Sequence, residues 1–208
     1  MAHEIPPQFR AVLNPRESPA HRAERVKALH AELSTPQGLR HAAFWLPSSW
    51  PHLLQLLSDA HPEVRMAAAH LLGHFGAVLA GRREPSLEGR LSPSALIDWA
   101  LAMLSPSSLL PAAQRMTADA KESALMALHA CIAAMPPADV APFAQPLLRL
   151  TTALLEATTT PPRVLGPLLR LLLAVLPVVP LAVLGQGFGD LADLLCGWAL
   201  EPLVASDD

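Results

Sequence analysis

The sequence predicts an all-α fold in which antiparallel helix pairs stack side by side into an α-solenoid. Three observations carry this expectation. Leu and Ala dominate the apolar residues, Tyr is absent and aromatics make up 4% of the chain, a mix that favours helix over strand. Apolar side chains recur with helical spacing, most clearly at Val64, Ala68, Leu71, Leu72 and Phe75, positions that share one face of a 3.6-residue helix. Prolines and short polar stretches divide the chain into roughly nine or ten such segments joined by loops of a few residues, the pattern of stacked helix hairpins.

The chain is organised around residues 59–73, Asp-Ala-His-Pro-Glu-Val-Arg-Met-Ala-Ala-Ala-His-Leu-Leu-Gly, preceded by the apolar run Leu53, Leu54, Leu56 and Leu57. Pro62 stands where a first-turn proline is tolerated, because the missing N–H would have no partner there. Asp59 is placed to cap the free amides beside it. Ala67, Ala68 and Ala69 allow close approach of a second helix. This stretch resembles one repeat of the HEAT/armadillo-like kind, two helices packed back to back. The resemblance implies that Asp59 and Arg65 tie neighbouring repeats together and do no chemistry. One such unit cannot bury its apolar faces alone, so the rest of the chain should supply the stacking partners.

The elements follow from this frame. Residues 1–17 are short of periodic apolar positions and carry Pro6, Pro7 and Pro15, the mark of a flexible leader. Ser18 and Pro19 open a helix with Ala23, Val26, Leu29, His30 and Leu33 inward and Arg22, Arg25 and Lys27 outward. Thr35 and Pro36 start a second, with Leu39, Ala42, Ala43 and Leu46, which Pro47 should end; Phe44 and Trp45 are its expected core anchors. After the central repeat, residues 81–90 form a loop. Ser92 and Pro93 open a helix with Leu96, Ile97, Trp99, Ala100, Met103 and Leu104, and residues 105–111 break it. A long helix is expected from about Ala112 to Met135, with Leu125, Leu128, Cys131, Ile132 and Met135 in one arc and Asp119, Lys121 and Glu122 at its polar start. Pro136 and Pro137 stop it. A helix with Phe143, Leu147, Leu148, Leu150, Leu154 and Leu155 follows, with Pro146 in its first turn or kinking it. Residues 158–162 form a loop. The next helix, about Val164 to Leu176 with Pro167 in its first turn, is apolar nearly all round except for Arg170, which implies burial on two sides. A short helical turn at 179–184 and a last helix at about 189–203 complete the solenoid region, 18–203, and residues 204–208 trail off polar.

Composition limits the function. With 51% hydrophobic and 16% charged residues, much apolar surface must be buried. A net charge of -3, with Arg82 and Arg83 the only dense basic spot and Glu84 directly after them, gives no electrostatic footprint for nucleic acid. The most membrane-like stretch, residues 171–184, is interrupted by Pro177 and Pro180 and falls short of the roughly twenty apolar residues that a span needs. Residues 1–19 have no apolar h-region of a secretory signal. Cys131 and Cys196 lie in apolar helical patterns without a Cys-x-x-Cys partner, and read as buried small hydrophobes of a reducing compartment.

No constellation points to catalytic, cofactor-binding or metal residues. His70 and His74 are four apart, the spacing that lets two imidazoles meet one metal ion, but no Glu follows His70 and no third ligand is marked nearby. They read as surface histidines, with a small metal-dependent enzyme as the remote rival. Gly185, Gly187 and Gly189 imitate a phosphate-cradling loop without the preceding strand or the Lys, so a turn between helices is the better account. Phe188-Gly189-Asp190 only scrambles the kinase Asp-Phe-Gly order, and no His-Arg-Asp loop exists here. Neither cysteine has a flanking sequence that would activate it. Trp45, Trp50, Trp99 and Trp198 are spread along the helices as core fillers.

The last helix reads Phe188-Gly189-Asp190-Leu191-Ala192-Asp193-Leu194-Leu195-Cys196-Gly197-Trp198. It is similar to a segment near the N-terminus of the phosphatidylinositol 3-kinase-related serine/threonine kinase of nonsense-mediated mRNA decay, whose pattern is Phe-x-Asp-x-x-Asp-(Ile or Leu)-Leu-x-Gly-Trp. The run Val26-Lys27-Ala28-Leu29 resembles that family's first helix, and residues 64–73 its early HEAT repeat, in the expected order. Residues 81–160 match only in helical pattern, and after Trp198 the chain has Ala199-Leu200-Glu201 where the family tends to have His-Ile-Asp. The resemblance implies a non-catalytic front end of a protein kinase. It would be a scaffold that docks the kinase's regulatory subunits and further repeats of its own parent chain, with a cytoplasmic and secondarily nuclear location and no direct nucleic-acid or membrane contact. No catalytic residue of the parent has a counterpart here, so none is carried over. An unrelated HEAT-repeat adaptor for transport or ligase assembly would share the fold and differ only in partner.

Overall fold

Each long helix begins where the local chemistry supplies a start. A computed structural model describes residues 10, 12, 14, 16–42, 46–81, 93–105, 116–157, 161–180, 184, 189, 192, 193 and 196. Helix α1 (Pro19–Leu33) opens on Pro19, and the Ser18 hydroxyl accepts from the His21 amide at 3.3 Å. Helix α2 (Pro36–Ala42) follows after two residues, then α3 (Leu46–Gln55), which tightens into a 3₁₀ turn at Leu56–Ser58. Helix α4 (Pro62–Gly81) and α5 (Pro93–Leu104) both start on proline. Helix α6 (Ala118–Ala134) is capped by Thr117, whose hydroxyl accepts from the Ala120 amide at 3.2 Å. A helical turn at Pro137–Val140 and a 3₁₀ turn at Ala141–Phe143 lead into α7 (Ala144–Glu156). Helix α8 (Pro162–Val175) ends in a 3₁₀ turn, Leu176–Val178. The described residues contain no strand.

Four of these helices stand in a row. α4 packs between α1 and α6, and α6 between α4 and α8. The row runs in one direction. Arg65 near the start of α4 meets Asp119 at the start of α6, and a Cβ placed on Gly73, further along α4, would lie 2.5 Å from the Cβ of Ala130, further along α6. Helices α3, α5 and α7 form the second layer, α3 against α4, α5 against α4 and α6, and α7 against α8 and α5. The units are therefore α3–α4, α5–α6 and α7–α8, with α1 as the second helix of a preceding unit.

Counting from the first residue of each row helix, the eleventh position is Leu29, Leu72, Leu128 and Leu172. All four are buried. Together with Val26, Leu53, Leu57, Phe75, Ile97, Leu125, Leu147 and Leu168 they form one continuous apolar core between the two layers. Burial of this kind contributes roughly 25 cal/mol per Å² of apolar surface, and it holds the row together without any single helix having to be stable alone.

Several expectations are corrected. Pro47 lies in the first turn of α3 and does not end the preceding helix, which stops at Ala42; a first-turn proline lacks only an amide that would be unpaired anyway. Helix α6 starts at Ala118 and not near Ala112, because Thr117 supplies the cap. Helix α8 starts at Pro162, so Arg163 is inside its first turn and Pro167 is further inside than the first turn. Burial of α8 on two sides is not observed. Val164, Leu168, Leu171, Leu172 and Val175 are buried, while Leu169 and Leu173 are exposed. Arg22, expected outward, is buried in an ion pair. Cys196 is exposed; Cys131 is buried as expected. The loop at 82–90, Phe44, Trp45, Trp198 and most of the glycine-rich 185–189 stretch lie outside the described residues, as do the leader up to residue 9 and the tail from residue 197.

Candidate interaction surface

The charged residues of the row fall into two sets, one spent inside the structure and one left facing outward. The inner set is a chain of arginines and aspartates crossing the helix junctions. Arg22 on α1 donates to the Asp59 carboxylate, and its Nε donates to the Val12 carbonyl at 2.9 Å. The second Asp59 oxygen accepts from the His61 amide at 3.0 Å, the capping role expected of it. Arg65 donates to the Asp59 and Ala60 carbonyls at 2.8 and 3.0 Å and reaches Asp119 at 3.1 Å. Asp119 also pairs with Arg163 on α8. The side chains of Arg22, Asp59 and Arg65 are 9%, 12% and 8% exposed, so the Arg22–Asp59 pair is desolvated and geometrically fixed, while Asp119 and Arg163, 37% and 54% exposed, lie at a solvated edge.

The repeat-binding role of Asp59 and Arg65 was legible from the central repeat; their partners Arg22, Asp119 and Arg163 were not. A signal for Arg22 existed. Pro19-x-x-Arg22 and Pro62-x-x-Arg65 place an arginine at the same position of two row helices, which face equivalent junctions.

The histidines cluster at the α1–α4 junction. His30 and His74 have ring centroids 4.6 Å apart, tilted by 52°, and the Ser34 hydroxyl lies 3.1 Å from His74 Nε2. Burial pushes His30 below the usual histidine pKa, with the neighbouring His74 and His70 adding to the effect. His74 is thus half-buried where the sequence suggested a surface position, and His70 is exposed. On α6, burial and then the Arg170 charge on α8 lower the His129 pKa. Among the described residues no group of three or more His, Cys, Asp and Glu side chains is arranged to hold a metal ion. The His70 and His74 pair has gained a third histidine beside it, but the three do not converge. Cys131 is also not poised for nucleophilic work, since burial pushes its thiol up to about 12.

The outer set is spread along the row. Glu63 and His70 on α4 and Leu169, Arg170 and Leu173 on α8 are exposed, and Met66 on α4 and Met126 on α6 are half-buried. Trp99 is half-buried against the core. No helix among the described residues is long and apolar enough to cross a membrane.

Residues 50–79 match the HEAT repeat family. No curated protein and no solved structure matches the chain. The matched span holds α4 to Leu79, the 3₁₀ turn and Asp59, the unit on which the junctions to α1 and α6 are built. Fold and match together define an all-α, HEAT-like solenoid.

Proposed function

We propose that this chain is a non-catalytic scaffold that docks other proteins on the outward faces of its helix row. The observation that carries this reading is the division of charge. Arg22, Asp59, Arg65 and Asp119 are consumed in tying the row together, while His70, Met66, Met126, Arg170 and the exposed leucines of α8 form a mixed polar and apolar strip along it. Such a strip suits protein partners, because flexible methionines and scattered charges complement a shaped surface, and helical-repeat rows present extended surfaces of this kind.

The finer reading is that the chain is the front end of the kinase of nonsense-mediated mRNA decay, docking its regulatory subunits in the cytoplasm and secondarily in the nucleus. Its support is the Phe188 to Trp198 pattern, in which the described residues Gly189, Ala192, Asp193 and Cys196 are helical. Purified regulatory subunits of that kinase should bind the full chain in a titration. Their failure to bind, with transport or ligase-assembly components recovered in their place, would replace the kinase reading by the unrelated adaptor and leave the scaffold role intact. The His70 and His74 enzyme reading is tested by elemental analysis after mild purification, where stoichiometric zinc or iron would revive it.

A further inference from the structure

The four row helices keep one register, and that register sorts their charges by height. The eleventh residue of each points into the core, so the ninth and thirteenth, roughly 200° away on either side, point away from it. At these places stand Lys27 and Ala31 on α1, His70 and His74 on α4, Met126 and Ala130 on α6, and Arg170 and Ala174 on α8. The twelfth residue, at the junction to the following helix, adds His30 on α1 and His129 on α6. Residues 26–31, 69–74, 125–130 and 169–174 thus form a level band across the row that holds Lys27, His30, His70, His74, His129 and Arg170 and not one Asp or Glu. The carboxylates of the row lie nearer the helix starts, at Glu24, Glu63, Asp119 and Glu122. Glu32, one position past the band on α1, pairs with His41 of α2 at 3.8 Å. Lys27, His70 and Arg170 are exposed, as are the small residues Ala31 and Ala130, while His30, His74, Met126 and His129 are half-buried.

We propose that this band binds an extended acidic segment of a partner protein, laid across the row from α1 to α8. This gives the scaffold role a partner chemistry and rests on that role. Six residues of helix rise about 9 Å, less than the 10–12 Å diameter of a helix with its side chains, whereas four helices packed 8–10 Å apart carry the band over about 25–30 Å. An extended chain of about eight or nine residues fits that length and height, with a carboxylate at about every third residue to meet one helix after another. The carboxylates at the helix starts repel such a segment if it slips out of the band. Lys27 is shared with Glu24 at 2.7 Å, but the two side chains are 62% and 70% exposed, and a pair of that kind is weak enough to exchange partners. Met126 and the exposed Leu169 and Leu173 offer adaptable apolar contacts to the residues between the acids. Nucleic acid fits less well, because the band has no Phe, Tyr or Trp on which a base could stack and the carboxylate border opposes a phosphate backbone. The imidazoles add a pH dependence. His30 has His74 and His70 of α4 and the Ser34 hydroxyl around it, and His129 has Arg170 of α8. The other charges on elements packed against these helices are Arg40 and His41 on α2, His52 and Asp98 in the second layer, and the arginines and carboxylates at the helix starts. Burial foremost, then these like charges, keeps His30 and His129 short of protons in the free chain. An incoming carboxylate reverses that balance, so binding takes up protons and tightens as pH falls toward the histidine range.

Fluorescence anisotropy tests it with a labelled peptide of about twelve residues, Glu at every third position and Ser and Leu between, titrated with the full chain at low salt and about pH 6.5. The peptide should bind saturably, and its counterpart with Gln in place of Glu should bind at least about tenfold more weakly. His70→Glu with Arg170→Glu, both at exposed positions, should weaken the Glu peptide by about tenfold or more at unchanged helicity; His70→Gln with Arg170→Gln serves if the charge reversal disturbs folding. Glu24→Gln releases Lys27 and should tighten binding, and raising the pH to about 7.5, where the peptide's own charge is constant, should weaken it several-fold. Absence of saturable binding, equal binding of the Gln peptide, or binding that ignores the substitutions at residues 70 and 170 would each overturn the proposal. So would tighter binding of a single-stranded oligonucleotide of equal charge, which would mark a phosphate site. Failure of the Glu peptide on a chain that still binds other proteins removes the acidic partner and leaves the scaffold role standing.

Discussion

At the scale of single residues, the junction charges matter because they are buried. Asp59 holds Arg22, which is desolvated and has already committed its Nε to Val12. Asp59→Ala should therefore cost about 3 kcal/mol in denaturant unfolding, since it leaves an uncompensated buried guanidinium. Arg22→Met in the same chain should recover much of that loss, because it removes the stranded charge while keeping a side chain of similar length. Equal destabilisation by the single and double variants would show that the pair is not coupled. The histidines act in the opposite sense. His30 and His129 have folded-state pKa values below the ordinary histidine value near 6.5, chiefly through burial. The unfolded chain therefore binds their protons first as pH falls. Their contribution to stability is fully present above about pH 6.5 and is lost as pH drops through the folded values. Thermal scans between about pH 7.5 and 5.5 should show a falling midpoint, and His30→Gln with His129→Gln should flatten that fall. A thiol reagent separates the cysteines: exposed Cys196 should react in the native state, and Cys131 only on unfolding.

At the scale of the element, α4 and α6 approach each other closely at Gly73. A Cβ on Gly73 would collide with that of Ala130 at 2.5 Å and would also lie 3.5 Å from the Ala127 carbonyl oxygen. Gly73→Ala should destabilise the chain by about 1–3 kcal/mol, although alanine is the better helix former, because it forces the two helices apart. Ala130→Gly should relieve it, and a Gly73→Ala chain that is more stable than wild type would contradict the close approach. Element identity was legible because it depends on neighbours in sequence. Ser18-Pro19, Pro62 and Pro93 mark helix starts by their own backbone limits, and the Val64, Ala68, Leu71, Leu72 and Phe75 stripe is buried as its spacing requires. What sequence spacing could not settle was decided across space. Pro47 and Pro162 each could end one helix or begin another, and Arg22 turned inward only because Asp59 waits on the next unit. Cys196 looked like a core residue because its neighbours are apolar, but periodicity does not say which stripe of an apolar helix is covered. The same gap explains α8, whose all-round apolar sequence suggested burial on two sides while one face stays open. The surface reading of His70 and His74 divided for a related reason: only His74 points into the α1 junction.

At the scale of the whole molecule, the described residues form a row of α1, α4, α6 and α8 that advances by one helix per unit. Stability then accumulates from junction to junction. The HEAT match covers one unit, and the structure extends its grammar to the units on both sides through a leucine at the eleventh residue of the row helix and, on the preceding side, an arginine at the fourth. Partner choice left no such local trace, since a docking face is defined by the shape and charge of several helices at once. The most direct test of the row is distance. Lys27, His70 and Arg170 occupy the ninth position of α1, α4 and α8 and are all exposed. Pairs of spin labels at these sites, in a Cys196→Ser chain diluted with unlabelled protein, report the spacing along the row. With helices packed 8–10 Å apart, the row predicts about 20 Å from His70 to Arg170 and about 30 Å from Lys27 to Arg170. A Lys27 to Arg170 distance equal to or shorter than that from His70 to Arg170 would mean that the helices close into a bundle, and the solenoid account would be wrong.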